Sequence, residues 1–425
     1  MTNFELNLSL IFLITVILIW FMIAYQFTLT FFGFVNYLKS FKEKKNVEKQ
    51  NFVYPSCTIL IPAHNEEKVI DITIESMLNL DYPKDKLKII IINDGSTDNT
   101  KIKIEKYLKA NSHIHLFDVP EGLGGKGKSR ALNSALNMVD SDVIAVYDAD
   151  NTPDKNALKY LVSQLIQQKE LGAVLGKFRT VNKNHNLLTK FINIETLSFQ
   201  SMLQAGRWQI NNIATLPGTN YVMWTHLIKS LNGWDEEALT EDSELSIRIY
   251  QEGYKIKFIP YAITYEQEPQ EWRVWIKQRL RWVRGNNYVL AKFFKKIPSF
   301  KNKLLALDLL YNLALYYIFF FAILISDLIF IISILGFANL ALPGPYTTVW
   351  VMAFILFIFE IMLAISYDEE DGLRKAGIIV LMYFSYCQLW IYIVIKSFYV
   401  EYIKKEKNFW EKTVRFDIAA EKKSK

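Results

Sequence analysis

The chain has 425 residues, more than one ordinary soluble domain holds, so we expect two or three structural units. Its net charge of +6 is too small and too scattered for a nucleic-acid-binding protein, which excludes nucleic acid as a partner. The two cysteines, Cys57 and Cys387, lie too far apart to predict a disulfide framework or a thiolate metal site, so the polar middle of the chain belongs in a reducing compartment.

The first predicted element is a long apolar helix at the N-terminus. Residues 6–35 carry no charge, and the run exceeds the roughly 20 residues that a membrane-spanning helix needs. It is also too long for a signal-peptide core, and no small-residue cleavage site follows it. Lysines come directly after it and only Glu5 precedes it, so the positive-inside rule puts the following chain in the cytoplasm. We therefore predict a transmembrane anchor over residues 1–38 and a cytoplasmic domain over residues 50–290.

The cytoplasmic stretch alternates short β-rich runs with helical patterns. We predict strands over 57–63, 87–94, 113–119 and 142–150, and helices over 67–80, 98–110 and 128–139. Strands separated by helices of this length predict an α/β fold, with a mostly parallel sheet and helices on both faces. Ligands bind such sheets beyond the carboxyl ends of the strands.

Acidic or polar side chains follow three of the predicted strands, at 64–67, 93–96 and 148–150. Any one of these groups could be a strand-end turn or a helix N-cap, but three in one sheet indicate a binding site at this edge. Asp148 and Asp150 are two carboxylates two residues apart, and such a pair can share a hard divalent cation such as Mg²⁺. A cation held there would neutralise a departing diphosphate, which is Lewis-acid catalysis at a leaving group.

Two further segments each allow two interpretations. The glycine-rich loop GLGGKGKS at 122–129 lacks the spacing of a P-loop. It is either a solvated loop or a phosphate site built from Lys126 and Lys128 at the start of a helix. The TED sequence at 240–242 precedes an amphipathic helix. Its side chains either cap that helix or place one carboxylate in a cleft as a general base.

The stretch QRLRWVRG begins at Gln278, about twenty residues before the next apolar run. On a helix with 3.6 residues per turn, Gln278, Arg281 and Trp282 lie on one face. An indole can stack on a sugar and a planar guanidinium can bind a diphosphate, so this face suits an active site. Arg279 and Arg284 point away from it, and we predict that they form a basic collar beside the membrane, facing the cytoplasm.

Three more apolar runs follow towards the C-terminus. They extend over 307–337, 346–367 and 376–399. We predict transmembrane and interface helices over 300–400 and a basic cytoplasmic tail over 401–425, giving a multi-pass protein of the cell membrane with a cytoplasmic catalytic domain.

The number of crossings conflicts with the charge of the tail. Three crossings that start inside would leave the tail outside, whereas its excess of Lys and Arg over Asp and Glu favours the inside. An interfacial or re-entrant segment would resolve this conflict, and 304–320 is the candidate, because Asp308 and Asn312 interrupt its apolar pattern. The number of spans, three to five, stays open.

Six motifs occur in order through the middle of the chain. They are PAHNEE at 62–67, NDGSTDNT at 93–100, GKGKSRALN at 125–133, DAD at 148–150, TED at 240–242 and QRLRW at 278–282. With apolar helices on both sides, they resemble the processive, membrane-embedded glycosyltransferases of family 2, which include the cellulose, hyaluronan and poly-N-acetylglucosamine synthases. The resemblance covers roughly residues 55–290. It implies a nucleotide-sugar-binding domain of the A type, a UDP-sugar donor and Mg²⁺ or Mn²⁺ as cofactor.

On the donor side, the resemblance implies a role for each residue that matches a motif. Asp94 would contact the uridine with Glu66 nearby, and Lys128 would approach the nucleotide. Asp148 and Asp150 would hold the nucleotide and its metal ion, and Asp150 would be the firmer metal ligand.

On the acceptor side, the resemblance implies that Asp242, with Glu241 beside it, is the catalytic general base. Gln278, Arg281 and Trp282 would close the site, with Arg281 on the diphosphate and Trp282 stacked under the acceptor sugar. The PGTN loop at 217–220 would lie near the end of the acceptor. A single displacement inverts the anomeric carbon, so an α-linked donor would give a β-glycoside.

The combination of TED with QRLRW resembles the cellulose and poly-N-acetylglucosamine enzymes, whereas hyaluronan enzymes usually carry another acidic motif. The short tail with WEKTVR resembles the poly-β-1,6-N-acetylglucosamine synthases. We therefore expect a processive transferase that uses UDP-N-acetylglucosamine, extends a growing polysaccharide and exports it across the bilayer. A small accessory membrane subunit is a further possible partner.

Three other interpretations fit parts of the pattern. The donor could be UDP-glucose, as in a cellulose-type synthase. The acceptor could be a lipid, in which case the enzyme would not be processive and the QRLRW face would have no polymer to hold. Finally, the domain could bind a nucleotide without catalysis, as part of a transporter or scaffold.

Overall fold

The computed structural model describes residues 3–300, 303–337, 345–368, 370, 372–406 and 415–416. Within this part of the chain the sheet contains eight strands, β1 to β8. They are Cys57–Ala63, Leu87–Asn93, Ile114–Asp118, Val143–Val146, Thr152–Pro153, Leu171–Thr180, Tyr221–Trp224 and Lys255–Glu266.

The described helices are numbered α1 to α15. They are Asn3–Lys49, Ile70–Leu78, Thr100–Leu108, Lys128–Leu136, Ala157–Gln167, Leu187–Ser198, Ala205–Asn211, Thr225–Ser230, Glu241–Gln251, Trp272–Phe294, Lys303–Leu313, Phe320–Ile334, Tyr346–Ser366, Gly372–Phe384 and Tyr386–Phe398. π-helical turns over Phe199–Gln204, Ala314–Phe319 and Tyr399–Ile403 continue α6, α11 and α15. Short 3₁₀ turns occur at Lys84–Lys86 and Ile297–Ser299.

The strand order is β3-β2-β1-β4-β7-β6-β8-β5. Strands β1 to β4 pair in parallel, β7 is antiparallel to β4 and β6, and β8 is parallel to β6. The prediction of an α/β fold with a mostly parallel sheet is therefore confirmed. The predicted strand over 142–150 is shorter than expected: it ends at Val146, because the following backbone leaves the sheet and the Asp148 N–H donates to the Thr219 hydroxyl.

The central strands are apolar over almost their whole length, because both faces of the sheet are covered. Alternate residues of β1 enter two different cores: Leu60 packs on the side of α4, α9 and α10, and Ile59 packs on the side of α2, α3 and α5. The sheet is therefore a rigid middle layer, and its strand ends are held in fixed positions.

Helix α1 is one continuous helix of 47 residues, which at 1.5 Å per residue is about 70 Å long. It runs through the predicted boundary at residue 38 and ends against the α/β domain, where Glu43 pairs with Lys257. Helix α1 also crosses the start of α7 at very short distance. A Cβ atom added to Gly206 would lie only 2.3 Å from the carbonyl oxygen of Leu29, so glycine is required at that crossing.

Four stretches of the described chain are long and apolar enough to cross a membrane. They are Asn3–Lys49, Tyr317–Ile334, Thr348–Ser366 and Gly372–Ile403. Helix α11, inside the predicted interface segment 304–320, packs into the domain core through Leu305 and Leu309, and its Asp308 pairs with buried Arg207. Asp308, one of the two polar residues that interrupt the apolar run, is therefore one half of an internal ion pair, and the side chain of Asn312 lies outside the described part of the chain.

The last of these stretches begins and ends against the α/β domain. Just before it, Asp368 pairs with Lys177 of β6, and within its final turn Glu401 accepts a hydrogen bond of 2.9 Å from Asn287 of α10. The stretch is broken at Ser385, between α14 and α15. Both ends of this stretch therefore contact the α/β domain or α10.

Candidate active site

One cavity of about 450 Å³ opens at the carboxyl ends of β1, β2 and β4. It is lined by all ten residues to which the resemblance assigns a role: Glu66, Asp94, Lys128, Asp148, Asp150, Glu241, Asp242, Gln278, Arg281 and Trp282. Lys126, the other lysine that we considered for a phosphate site, does not line it. Its position agrees with the rule that ligands bind α/β sheets beyond the carboxyl ends of the strands. Six separate segments of the chain therefore meet at one place.

Asp94 follows β2 and is almost fully buried. Its Oδ1 accepts a hydrogen bond of 2.9 Å from the backbone N–H of Gly125 in the glycine-rich loop. Burial raises the pKa of Asp94, and this backbone N–H partly opposes that shift. A Cβ atom on Gly124 would lie 2.9 Å from the Cα of Gly95, so the loop is folded tightly against the strand end instead of extending into solvent.

Lys128 is the first residue of α4. It lies between two groups of carboxylates in the cavity, one after β4 (Asp148 and Asp150) and one at the start of α9 (Glu241 and Asp242). Its Nζ donates to Asp148 Oδ1 at 2.5 Å and to the Gly218 carbonyl oxygen at 2.6 Å, and it lies 3.9 Å from Glu241 Oε1. Burial lowers the pKa of Lys128, but the carboxylates of Asp148 and Glu241 more than offset this, and the net shift is upward. A protonated ammonium is therefore held where Asp148 meets the start of α9.

Asp150 is buried and has a cationic partner from the far end of the chain. The Arg415 guanidinium forms two contacts of 3.1 Å with its carboxylate, and the Gln267 backbone N–H donates to it at 3.1 Å. Burial raises the pKa of Asp150, and the charge of Arg415 opposes that shift. Phe416 and the side chain of Gln267 also exchange two hydrogen bonds. We predicted a cytoplasmic tail over 401–425, and two of its residues lie in the site.

The donor set at this edge suits a hard divalent cation. Asp148 and Asp150 offer carboxylate oxygens only, and the described residues contain no group of three or more His, Cys, Asp or Glu side chains arranged around a metal position. Mg²⁺ is commonly held by one or two protein carboxylates together with substrate phosphates and water. The two aspartates therefore fit an ion that arrives with a nucleotide diphosphate.

The start of α9 places a second pair of carboxylates opposite the first. Burial and the neighbouring Glu241 raise the pKa of Asp242 to about 7, while the Ser243 backbone N–H, Lys128 and Arg281 act in the opposite direction. Glu241 is also buried, and burial raises its pKa as well. The two groups titrate as a pair, because each carboxylate disfavours ionisation of the other.

The structure does not support the interpretation in which Thr240 of TED caps α9. Thr240 occupies the N-cap position, yet its side chain makes no capping hydrogen bond. It packs instead against α10, where a Cβ added to Gly285 would lie 2.5 Å from the Thr240 methyl carbon. Asp242 Oδ1 accepts the neighbouring Ser243 N–H at 2.7 Å, and its Oδ2 lies towards Gly218 and the cavity.

The PGTN loop connects the two acidic groups. Gly218 has φ +85°, a conformation that favours glycine, and a Cβ there would lie 3.1 Å from Asp242 Oδ2. The Thr219 hydroxyl accepts a 3.0 Å hydrogen bond from the Asp148 backbone and donates to Asn151. The loop therefore holds the turn after β4 next to the start of α9.

On α10, Gln278, Arg281 and Trp282 all face the cavity, as their spacing predicts. Burial lowers the pKa of Arg281, and the charges of Glu241 and Asp242 oppose that shift. The guanidinium therefore lies within electrostatic reach of the carboxylates at the start of α9.

The predicted basic collar of Arg279 and Arg284 is wrong. Arg279 is 1% exposed, and its Nη2 donates to Glu195 of α6 at 2.5 Å. Arg284 is 9% exposed, and its Nη2 donates to the carbonyl oxygen of Glu406 at 2.9 Å. The reason is that α15 and the residues after it cover this face of α10, so both arginines point into protein and not towards the cytoplasm.

Sequence reasoning also missed residues that line the cavity. Glu266 is the last residue of β8 and Glu268 follows it, much as acidic residues follow β2 and β4, and this pattern could have revealed them. Burial raises the pKa of Glu268 to about 7. Glu195 and Trp390 also line the cavity, but they lie within helical patterns that carry no such signal.

Comparisons with known proteins agree with this architecture. The family model described as "Glycosyltransferase like family 2" matches residues 55–285, more than half of the chain. The chain is 43% identical to the probable glycosyltransferase YdaM of Bacillus subtilis, over 96% of this chain and 98% of that protein. It is 32% identical to the poly-beta-1,6-N-acetyl-D-glucosamine synthase of Staphylococcus aureus, over 56% of each protein.

Among solved structures, the mannosyltransferase PcManGT of Pyrobaculum calidifontis, in complex with GDP-Man and Mn²⁺, is similar to this chain. The match covers 83% of this chain and 99% of that one, with a TM-score of 0.54 and 19% sequence identity. At this identity the likeness is one of fold.

Proposed function

The chain belongs to glycosyltransferase-like family 2, and on this premise we propose that it is an inverting, processive β-glycosyltransferase that uses UDP-N-acetylglucosamine. The observation that carries the proposal is the pair of acidic groups on either side of Lys128. Asp148 and Asp150 lie at the end of β4, and Asp242 lies across the cavity at the start of α9. Membership of an enzyme family argues against a non-catalytic transporter or scaffold.

The first acidic group and the nearby cations serve the donor. Asp94 and Glu66 would bind the uridine, while Lys128 and Arg281 would stabilise negative charge on the diphosphate as it departs. Asp148 and Asp150 would hold the divalent cation, which supplies Lewis-acid stabilisation of the leaving group. Arg415 lies on Asp150 and is a further cation within reach of the diphosphate.

The second acidic group serves the acceptor. Asp242 would accept the proton of the attacking hydroxyl, while the new C1–O bond forms and the bond from C1 to the diphosphate oxygen breaks. With a pKa of about 7, Asp242 is partly ionised at neutral pH and still a useful base. One displacement inverts C1, and no covalent intermediate is required. Trp282 and Gln278 would hold the acceptor sugar.

The choice of sugar and the processivity rest on different support. The 32% identity to a poly-beta-1,6-N-acetyl-D-glucosamine synthase favours UDP-N-acetylglucosamine over UDP-glucose, the donor of the cellulose-type alternative. Processive extension and export are supported by the continuity between the cavity, α10 and the apolar helices that follow it.

A second candidate function has support in the shape of the cavity. One part of its lining is apolar and reaches α11 through Val289, Leu290, Leu305 and Leu309. An apolar wall next to candidate membrane helices suits a lipid-linked acceptor, and an enzyme with such an acceptor would add one sugar and release the product.

Product analysis separates these candidates. Membranes containing the protein would be incubated with radiolabelled UDP-N-acetylglucosamine or UDP-glucose and with Mg²⁺ or Mn²⁺, and the products would be sized. Polymer from UDP-N-acetylglucosamine supports the first proposal. A single sugar on a lipid contradicts processivity, and polymer from UDP-glucose alone contradicts the choice of sugar. The same assay with purified protein tests the predicted accessory subunit, and Asp242→Asn serves as the inactive control.

We further propose that the α/β domain and the tail both lie in the cytoplasm, beneath the cell membrane. The contacts of Asp368 with Lys177 and of Arg415 with Asp150 support this, because they bring both flanks of the last apolar stretch to the domain. Lys405→Cys should react with a membrane-impermeant maleimide only in opened cells. Labelling in intact cells would place the tail outside.

A further inference from the structure

The indole of Trp282 has a guanidinium against one of its faces. The Arg279 Cζ lies 3.9 Å from the Trp282 ring centroid, and it also lies within 6 Å of the Trp275 and Trp390 rings. Arg279 is 1% exposed, so this contact is shielded from water, where a cation–π interaction is strongest. One face of Trp282 is therefore occupied by protein, and a sugar can stack only on the other.

Arg279 is itself held by Glu195. The Glu195 carboxylate accepts three hydrogen bonds: from Arg279 Nη2 at 2.5 Å, from the Tyr386 hydroxyl at 2.6 Å and from Trp390 Nε1 at 3.1 Å. These donors come from α10 and α15, while Glu195 itself lies on α6. One carboxylate therefore joins a helix of the α/β domain, the helix that carries QRLRW and a helix of the last apolar stretch.

The same arginine also orients Gln278. Its Nη1 donates to Gln278 Oε1 at 2.7 Å, which fixes the direction of the amide and turns its NH₂ group away from Arg279. Gln278, Arg279 and Trp282 all line the cavity, but Arg279 is only 1% exposed, and its guanidinium contacts Glu195, Gln278 and the Trp282 ring. Neutralising Glu195 would remove the carboxylate that hydrogen-bonds to buried Arg279, which is unfavourable in a site shielded from water.

We propose that Glu195 and Arg279 are positioning residues for the acceptor site. The pair fixes the Trp282 ring and the Gln278 amide in the orientation that binds a neutral pyranose acceptor, and Tyr386 and Trp390 hold the pair in place from α15. The inference rests on the proposed function, in which Gln278 and Trp282 bind the acceptor. It adds that the last apolar stretch controls acceptor affinity without touching the donor.

The test compares donor and acceptor affinity in the full-length protein in detergent. The variants are Arg279→Met, Arg279→Lys, Glu195→Ala and Glu195→Gln. Calorimetry measures the Kd for UDP and for a β-linked N-acetylglucosamine tetrasaccharide, and neither measurement requires turnover. Arg279→Met and Glu195→Ala should weaken tetrasaccharide binding about tenfold and leave UDP binding within twofold of wild type. Arg279→Lys keeps the charge, and Glu195→Gln keeps one of the two acceptor oxygens, so both should restore part of the affinity.

Arg284→Met is the matched control, because Arg284 lies on the same helix, is also buried, does not line the cavity and donates to the Glu406 carbonyl oxygen. It should leave both affinities unchanged. Unchanged tetrasaccharide affinity in Arg279→Met, or equal losses for UDP and tetrasaccharide, would overturn the inference, since equal losses indicate a general packing role. Failure of the proposed function has a separate signature: the wild type would bind UDP but neither transfer from UDP-N-acetylglucosamine nor bind the tetrasaccharide.

Discussion

The donor side and the acceptor side of the cavity are assembled in different ways. On the donor side, Asp94 bonds to Gly125 and Lys128 bonds to Asp148, partners that lie 31 and 20 residues apart in the chain. On the acceptor side, Glu195 joins Arg279 and Tyr386, which are 84 and 191 residues away. The donor side is thus built from neighbouring strand ends, and the acceptor side from helices that meet only in the folded chain.

This difference explains why the donor side can be predicted from the sequence more completely than the acceptor side. Parallel strands end at one edge of a sheet, so residues that follow successive strands are brought together by the fold class alone. A helix face carries no equivalent rule. The spacing of Gln278, Arg281 and Trp282 shows that they share a face, but nothing in the spacing shows what covers the opposite face.

The largest effect that we expect is the loss of the base at the junction of the two sides. Asp242→Asn should reduce transfer about 10²–10⁴-fold, the usual contribution of a general base. UDP affinity should stay within twofold, because the donor contacts of Asp94 and Lys128 are untouched. Transfer rates and the Kd for UDP by calorimetry provide the two readouts. Retention of most of the activity would show that another group, such as Glu241, accepts the proton.

A second substitution tests whether the acceptor side is a functional unit. Trp282→Ala should reduce transfer at least about tenfold, equivalent to about 1.4 kcal/mol of lost stacking, and should leave UDP binding unchanged. Arg284→Ala, on the same helix but outside the cavity, should have little effect on transfer if the protein remains folded. Equal losses in the two variants would mean that α10 contributes only structurally.

The sequence predicts one part of the site and leaves another part undetermined. β-rich runs that end in acidic residues, as at Asp94 and Asp148, predict that these residues line a cavity at the strand ends. The burial of Arg279 could not be predicted, because the sequence around it fits a basic membrane collar equally well. Only the return of α15 across α10, a contact between distant segments, decides between the two environments.

A smaller effect concerns pH. Burial and, after it, the charge of Glu241 raise the pKa of Asp242, so Glu241→Gln should move the acidic limb of the pH–rate profile to lower pH. The wild-type limb should lie near pH 7, because the base must be ionised to act. An unchanged limb in Glu241→Gln would mean that a different group controls it.

The same pKa predicts a trend in stability. The folded-state pKa of Asp242 lies above its ordinary value of 3.8, so the folded protein binds the proton more tightly than the unfolded chain. This group therefore favours folding most at low pH, and its contribution is lost as the pH rises from about 4 to 7. The fall in Tm over that range should be smaller in Asp242→Asn than in wild type.

The smallest expected effect tests the donor-side contact that departs furthest from this comparison. Arg415 reaches Asp150 from 265 residues away, so here the donor side depends on a distant segment. Its guanidinium lies on a carboxylate that would also bind a divalent cation, and the two positive charges should compete. Arg415→Ala should therefore tighten Mn²⁺ binding to the nucleotide-free protein a few-fold, as measured by electron paramagnetic resonance. Arg415→Lys keeps the charge and should behave like wild type, while Asp150→Asn should abolish the binding. An equal Mn²⁺ affinity in wild type and Arg415→Ala would show that the arginine and the ion do not share Asp150, and the donor side would then be as local as its strand ends suggest.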